Sequence, residues 1–131
     1  MKPSKFLVAA IFAVCLTAPA NAVDSRMKAM LKRIEPQTRL VQVCDIEAMD
    51  RINRDRNPYH PDRAMVDQLS PPHVEENTLS GSGGVFRSRG DWYHFSFVCS
   101  ASPDRLDVLS FQYKIGERIP KEEWSKLNLF P

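Results

Sequence analysis

Two cysteines set the tightest limit on how this chain can fold. Cys15 falls in an apolar leader, which leaves Cys44 and Cys99 as a single pair about 55 residues apart. In an oxidising compartment an even number of cysteines reads as a disulfide framework, and here only one intramolecular pairing exists. Neither cysteine lies in a C-x-x-C, and no histidine is spaced beside either as a ligand pair would need. A redox couple and a zinc site are therefore disfavoured against a structural disulfide. Closing a loop of this length is worth roughly 4 kcal/mol in the chain-entropy account, a large share of the roughly 5–15 kcal/mol that holds a typical domain.

The compartment is read from the start of the chain. Lys2 and Lys5 precede the apolar run Phe6 to Leu16, and Ala20-Asn21-Ala22 puts small residues where a signal peptidase needs them. This pattern predicts a signal peptide over residues 1–22, cleaved after Ala22. The run is shorter than the roughly 20 apolar residues of a spanning helix, and Val14 before Cys15 argues against lipid attachment. The expected location is periplasmic or secreted, with no stable membrane span after cleavage. Lys2 and Lys5 also account for the formal charge of +2. Residues 23–131 are thus close to neutral, which gives no case for nucleic acid as a partner.

Periodicity predicts one small α+β domain over 23–131, with its core roughly at 36–127. Asp24 or Ser25 can cap a helix over Arg26–Ile34. Pro36 suits the first position of a second helix running to about Asn53. Leu40, Val41, Cys44, Ala48, Met49 and Ile52 form its apolar stripe. Arg54–Arg63 reads as an ordered loop, Arg63–Leu69 as strand or helical turn, His73–Leu79 as a weak strand and Ser80–Gly84 as a turn or bulge. Val85–Ser88 and Trp92–Ser100 flank Arg89-Gly90-Asp91 as a hairpin. Tyr93, Phe95, Phe97 and Cys99 share one face of its second strand, and Trp92, His94, Ser96 and Val98 the other. Leu106–Ile115 alternates, with Leu109, Phe111, Tyr113 and Ile115 inward and Asp107 on the same face at the strand edge, and Gly116 ends it. A short helix after Pro120 should dock through Trp124 and Leu127. The expected assembly is an antiparallel β-meander of three to four strands with the helices on one side, the N-terminal helices packed on one face and a short C-terminal helix with them. Both sulfurs then fall in the layer between helix and sheet.

The strings TRLVQVCDIEAMDRI, FRSRGDWYHFSFVC and VLSFQYKIGERIPKEEW together resemble a small family of secreted alphaproteobacterial proteins classed as a domain of unknown function. The resemblance covers most of residues 36–127. It implies an envelope location and a single cysteine pair, and it carries over no catalytic residue.

No motif names a reaction. There is no G-x-S-x-G, P-loop, G-x-G-x-x-G or H-E-x-x-H. His60, His73 and His94 are not spaced as metal ligands, so no metal, cofactor or catalytic residue is assigned. The carboxylates Asp45, Glu47, Asp50 and Asp55 alternate with Arg51, Arg54 and Arg56, as on a solvated, salt-bridged helix face. The hairpin Phe86–Tyr93 stands out, because two arginines, a tight turn and three aromatics share eight residues. Arginine forks recognise carboxylates or phosphates, and exposed aromatics stack on ligands. Arg87, Arg89 and Trp92 are the candidate binding patch, against the plainer reading that they support the fold. The function expected is a non-catalytic, disulfide-stapled module that binds an envelope protein or cell-wall component. The alternative is a small envelope enzyme or ligand carrier with a pocket between sheet and helices. A closed apolar layer there would favour the first reading, and a cavity with convergent polar groups the second.

Overall fold

The computed structural model describes residues 23–131, so the leader over residues 1–22, with Cys15, lies outside the described residues. Two helices come first, α1 (Ser25–Leu31) and α2 (Pro36–Arg54). Asp24 caps α1 by accepting from the Met27 N–H at 2.8 Å. Glu35 caps α2 by accepting from the N–H groups of Gln37 and Thr38, and those bonds hold its carboxyl below the usual range. Arg39 fastens the two helices together. Its guanidinium donates to the carbonyls of Leu31, Lys32 and Ile34 at the end of α1, and to that of Asp104 across the fold.

The sheet holds β1 (Pro61–Met65), β2 (His73–Glu75), β3 (Thr78–Ser88), β4 (Asp91–Ala101) and β5 (Val108–Arg118), all paired antiparallel. β4 lies between β3 and β5, while β1 and β2 flank the two ends of β3. The expected meander is present, and short β1 adds a strand beside it. α3 (Lys121–Trp124) follows β5. The Ser80–Gly84 segment is a bulge inside β3, where the pairing with β4 shifts between Gly81 and Gly84.

One face of the sheet packs on α2. Leu40, Val43, Cys44, Ala48 and Ile52 are fully buried there, together with Leu79, Phe86 and Cys99. Val43 joins the stripe, while Val41 and Met49 sit at its margin. Cys44 and Cys99 form the disulfide, with Cα atoms 6.1 Å apart. The loop after α2 is ordered. Asn57 caps the Ile52 carbonyl and accepts from the Tyr59 N–H, and Tyr59 packs edge-on against Phe86 and Tyr93.

Three expectations need correction. Leu109 is 70% exposed rather than inward. The β4–β5 register shifts between Ser100 and Ala101, so Val108 takes the inward place and Leu109 is displaced from it. Gly116 does not end β5, which runs on to Arg118 through a second register shift opposite His94. The C-terminal helix does not join α1 and α2 on one side. It packs on the reverse face, where Val85, Trp92, Ile119, Trp124 and Leu129 form a second buried cluster. Alternation requires this, since Trp92 and Tyr93 point to opposite faces of β4.

Candidate functional site

The β3–β4 hairpin closes on two residues, Arg89 and Gly90, between paired Ser88 and Asp91. Both have positive φ, 51° and 81°, the backbone of a turn that matches strand twist. Arg89 is exposed at this tip. Arg87 is already engaged. Its Nε and Nη2 donate to the two carboxylate oxygens of Asp62, each at 2.9 Å, and Nη1 reaches the Pro131 carbonyl at 3.3 Å. The pairing holds the Asp62 carboxyl below the usual range and raises the Arg87 guanidinium.

Trp92 lies on the outer face of β4, as alternation predicts, but it is only 2% exposed. The residues after β5 fold back across it, and its Nε1 donates to the Phe130 carbonyl at 2.8 Å. The Arg87 guanidinium lies 5.7 Å from the centre of the same indole. The structure therefore brings Arg87 and Trp92 together as mutual support and leaves Arg89 apart at the turn. The fork geometry read from the sequence is real, but its carboxylate belongs to this chain. The expectation that Trp92 offers an open stacking surface is corrected by the cover that the C-terminal residues supply.

Further along the reverse face the cover ends. Beyond the Trp92 cluster the strands present Ser82, His94, Ser96, Val98, Gln112 and Lys114, around two depressions of about 330 Å³ each that share Ser96 and Lys114. Val98, 43% exposed, lines one of them. His94 sits beside two irregularities, the Gly81–Gly84 bulge of β3 and the register shift of β5. Bulges re-aim side chains and often lie beside sites. Glu117 closes one depression, so a cation, an anion and an imidazole converge on it.

The layer between α2 and the sheet has a different character. Its side chains are apolar, and the disulfide crosses it. The Tyr113 hydroxyl, a candidate polar group, donates to Asp55 at 2.7 Å, and burial with that bond pushes it up to about 12. The mixed-charge side of α2 carries the expected pairs, with Arg54 on Asp50 and Glu47 and Arg51 on Asp55.

Asp45 departs from that pattern. It leaves the solvated row and accepts from the Val66 N–H at 2.7 Å. Burial, with Asp67 nearby, pushes its carboxyl up to about 7. The sequence held a signal for this placement. Asp45 stands four residues after Val41 and three before Ala48, at the spacing of the apolar stripe.

Among the described residues, no helix is long and apolar enough to cross a membrane. A family model described as Domain of Unknown Function (DUF930) matches residues 31–129. No curated protein matches the chain, and no solved structure does.

Proposed function

From the premise that this chain belongs to the DUF930 family, we propose that it is a secreted, disulfide-stapled module without catalysis that binds a protein of the cell envelope. The observation that carries this reading is the closed layer between α2 and the sheet, where Leu40, Val43, Cys44, Ala48, Leu79 and Cys99 have no exposed surface. An enzyme or carrier with its pocket between sheet and helices needs polar groups and space in that layer. Convergent polar groups lie outside that layer, around His94, Ser96 and Lys114 on the open reverse face and around Glu35, Asp45 and Asp67 in a cleft beside the start of α2. The reverse face offers a broad, shallow surface with exposed Val98 rather than the enclosed, mostly apolar cavity that a small-molecule site takes. Arg89, exposed at the hairpin tip, stands at the margin of the same sheet and can add a charged contact.

Site-specific photocrosslinking in cells tests the reading. A photoreactive residue at Ser96 or Gln112 is expected to trap one discrete envelope partner, and the same residue at Arg33, in the turn after α1, is not. Lys114→Glu should reduce the Ser96 crosslink while the melting temperature stays within a degree or two. Crosslinks of equal yield from Arg33, or none from the reverse face, would reject the surface. Recovery of the tagged chain outside the envelope fraction would reject secretion.

A further inference from the structure

β5 ends one side of the sheet, with β4 as its one neighbour. Which of its peptide groups face outward follows from β4. The Trp92 carbonyl accepts from the Ile119 N–H, just past the end of β5, at 2.8 Å, so Trp92 turns its peptide groups toward that side. Peptide groups of successive residues alternate between the two neighbours of a strand, so Ser96, Val98 and Ser100 turn the same way as Trp92. The register sets these three opposite Lys114, Gln112 and Ser110. Those are then the hydrogen-bonded pairs, and Phe111, Tyr113 and Ile115 turn their N–H and C=O groups away from β4. A side chain reports the same direction, since Arg51 on α2 donates to the Phe111 carbonyl at 3.3 Å.

This open row is short and bounded. The register with β4 is regular from Ser110 to Ile115 and shifts at both ends, which leaves about 20 Å of flat edge. The shorter strands of the sheet are blunted. β1 has five residues and starts at Pro61, and β2 has three and follows Pro71-Pro72. A row of unpaired peptide groups is a template for another extended backbone. The side chains beside the row say what that backbone should carry. On the helix face Tyr113 and Ile115 are partly buried at the margin of the apolar layer. On the reverse face Lys114 takes part in no ion pair among the described residues, and the depression it lines with Ser96, Val98 and Gln112 runs along the same strand.

We infer that the envelope partner docks by adding an extended strand to β5, pairing with the outward peptide groups of Phe111, Tyr113 and Ile115. Its apolar side chains continue the layer past Tyr113 and Ile115, and an acidic side chain on its other face meets Lys114. Strand addition here rests on the partner-binding reading of the reverse face and names the form in which that partner arrives. In such docking the main-chain bonds supply affinity and the alternate side chains supply the choice of sequence. A second copy of the chain fits less well. A ladder about 20 Å long and one sheet, about 10 Å, thick falls short of the roughly 800 Å² per partner that a stable dimer covers. The register shifts at both ends stop it from lengthening, whereas a short extended segment needs no longer edge.

The probe is a short end-blocked peptide that alternates valine with threonine and carries aspartate at its central polar position. Added to the disulfide-intact protein, it should move the amide resonances of Phe111, Tyr113 and Ile115 saturably and protect those N–H groups from exchange. The Ser110, Gln112 and Lys114 amides, already paired with β4, should gain little protection. Lys114→Glu should weaken binding about fivefold, and a peptide with lysine in place of aspartate should reverse that preference. A response confined to the side chains around His94 and Lys114, or no saturable response, overturns strand addition. So does a concentration-dependent shift of the same three amides without peptide, which marks a second copy as the occupant. Photocrosslinking from Ser96 reports on the functional reading separately. A discrete partner trapped there, with the β5 amides silent to the peptide, keeps that reading and rejects strand addition alone. Amides that respond while Ser96 traps nothing support the strand site and reject the reverse-face surface.

Discussion

The ring of Phe95 occupies the place where Gly84 would otherwise carry a side chain. A Cβ built on Gly84 would lie 2.8 Å from the Cε1 and Cζ atoms of that ring. The strand can cross β4 at this point because it has nothing to put there. Gly84→Ala should therefore cost about 1–3 kcal/mol through overpacking. At Gly81 the same addition meets Pro72 and Phe97 at 3.5–3.6 Å, ordinary contact distances, so Gly81→Ala should be nearly neutral. Urea denaturation of the two variants in parallel checks the contrast.

Replacing Cys44 and Cys99 by alanine removes the tie between α2 and β4. The expected loss is roughly 4 kcal/mol, mostly through freeing a long loop in the unfolded chain. Thiol titration of the denatured, unreduced wild-type protein should find no free cysteine among residues 23–131.

Trp92→Ala and Tyr93→Ala should both destabilise, because the two rings close opposite faces of the sheet. The Trp92 change removes a fully covered indole from its cluster, and about 3–5 kcal/mol is expected. Tyr93 is partly buried against Tyr59 and Phe86, so its loss should be smaller. Equal melting temperatures for Trp92→Ala and wild type would contradict the cover described for the reverse face.

Arg89 holds a φ of 51° as a non-glycine residue. Asparagine adopts this backbone at less cost. Arg89→Asn should raise stability by about 0.5–1 kcal/mol. If the same variant also weakens crosslinking at Ser96, Arg89 contributes to recognition and not to the fold.

Asp45 makes the stability of the protein depend on acidity in an unusual direction. Its folded-state value of about 7 lies above the roughly 4 expected when unfolded. Above 7 both states are ionised, and the burial cost stands in full. As pH falls through 7 the folded state takes up the proton first, so stability rises until about pH 4, where the unfolded state protonates too. The gain is on the order of 3–4 kcal/mol. It should appear in wild type and vanish from Asp45→Asn when denaturation midpoints are compared between pH 4 and 8.

The parts of the fold readable from the residues were those governed by local rules. The stripe through Leu40, Cys44, Ala48 and Ile52 follows from helical spacing, and the inward set Phe95, Phe97 and Cys99 from strand alternation. Together they place both sulfurs in one layer. What escaped was set by distant partners. Leu109 is exposed because a register shift at Ser100 interrupts the alternation. Trp92 is covered because residues nearly forty positions later return to it. Asp45 looked like one more member of a charged row, and its difference arises from the Val66 N–H, 21 residues away. Arg87 read as an outward-facing fork, because nothing near it in sequence announces Asp62.

The cross-link from mid-helix to the end of β4 also decides how the molecule would behave under mechanical load. Pulled from its two ends, the oxidised chain can lengthen only through the segments outside Cys44–Cys99. The loop between them, with β1, β2, β3 and nearly all of β4, is shielded from tension even after it has unfolded. In a force-extension trace, a reductant would release a further 55 residues, or roughly 180–200 Å of contour length.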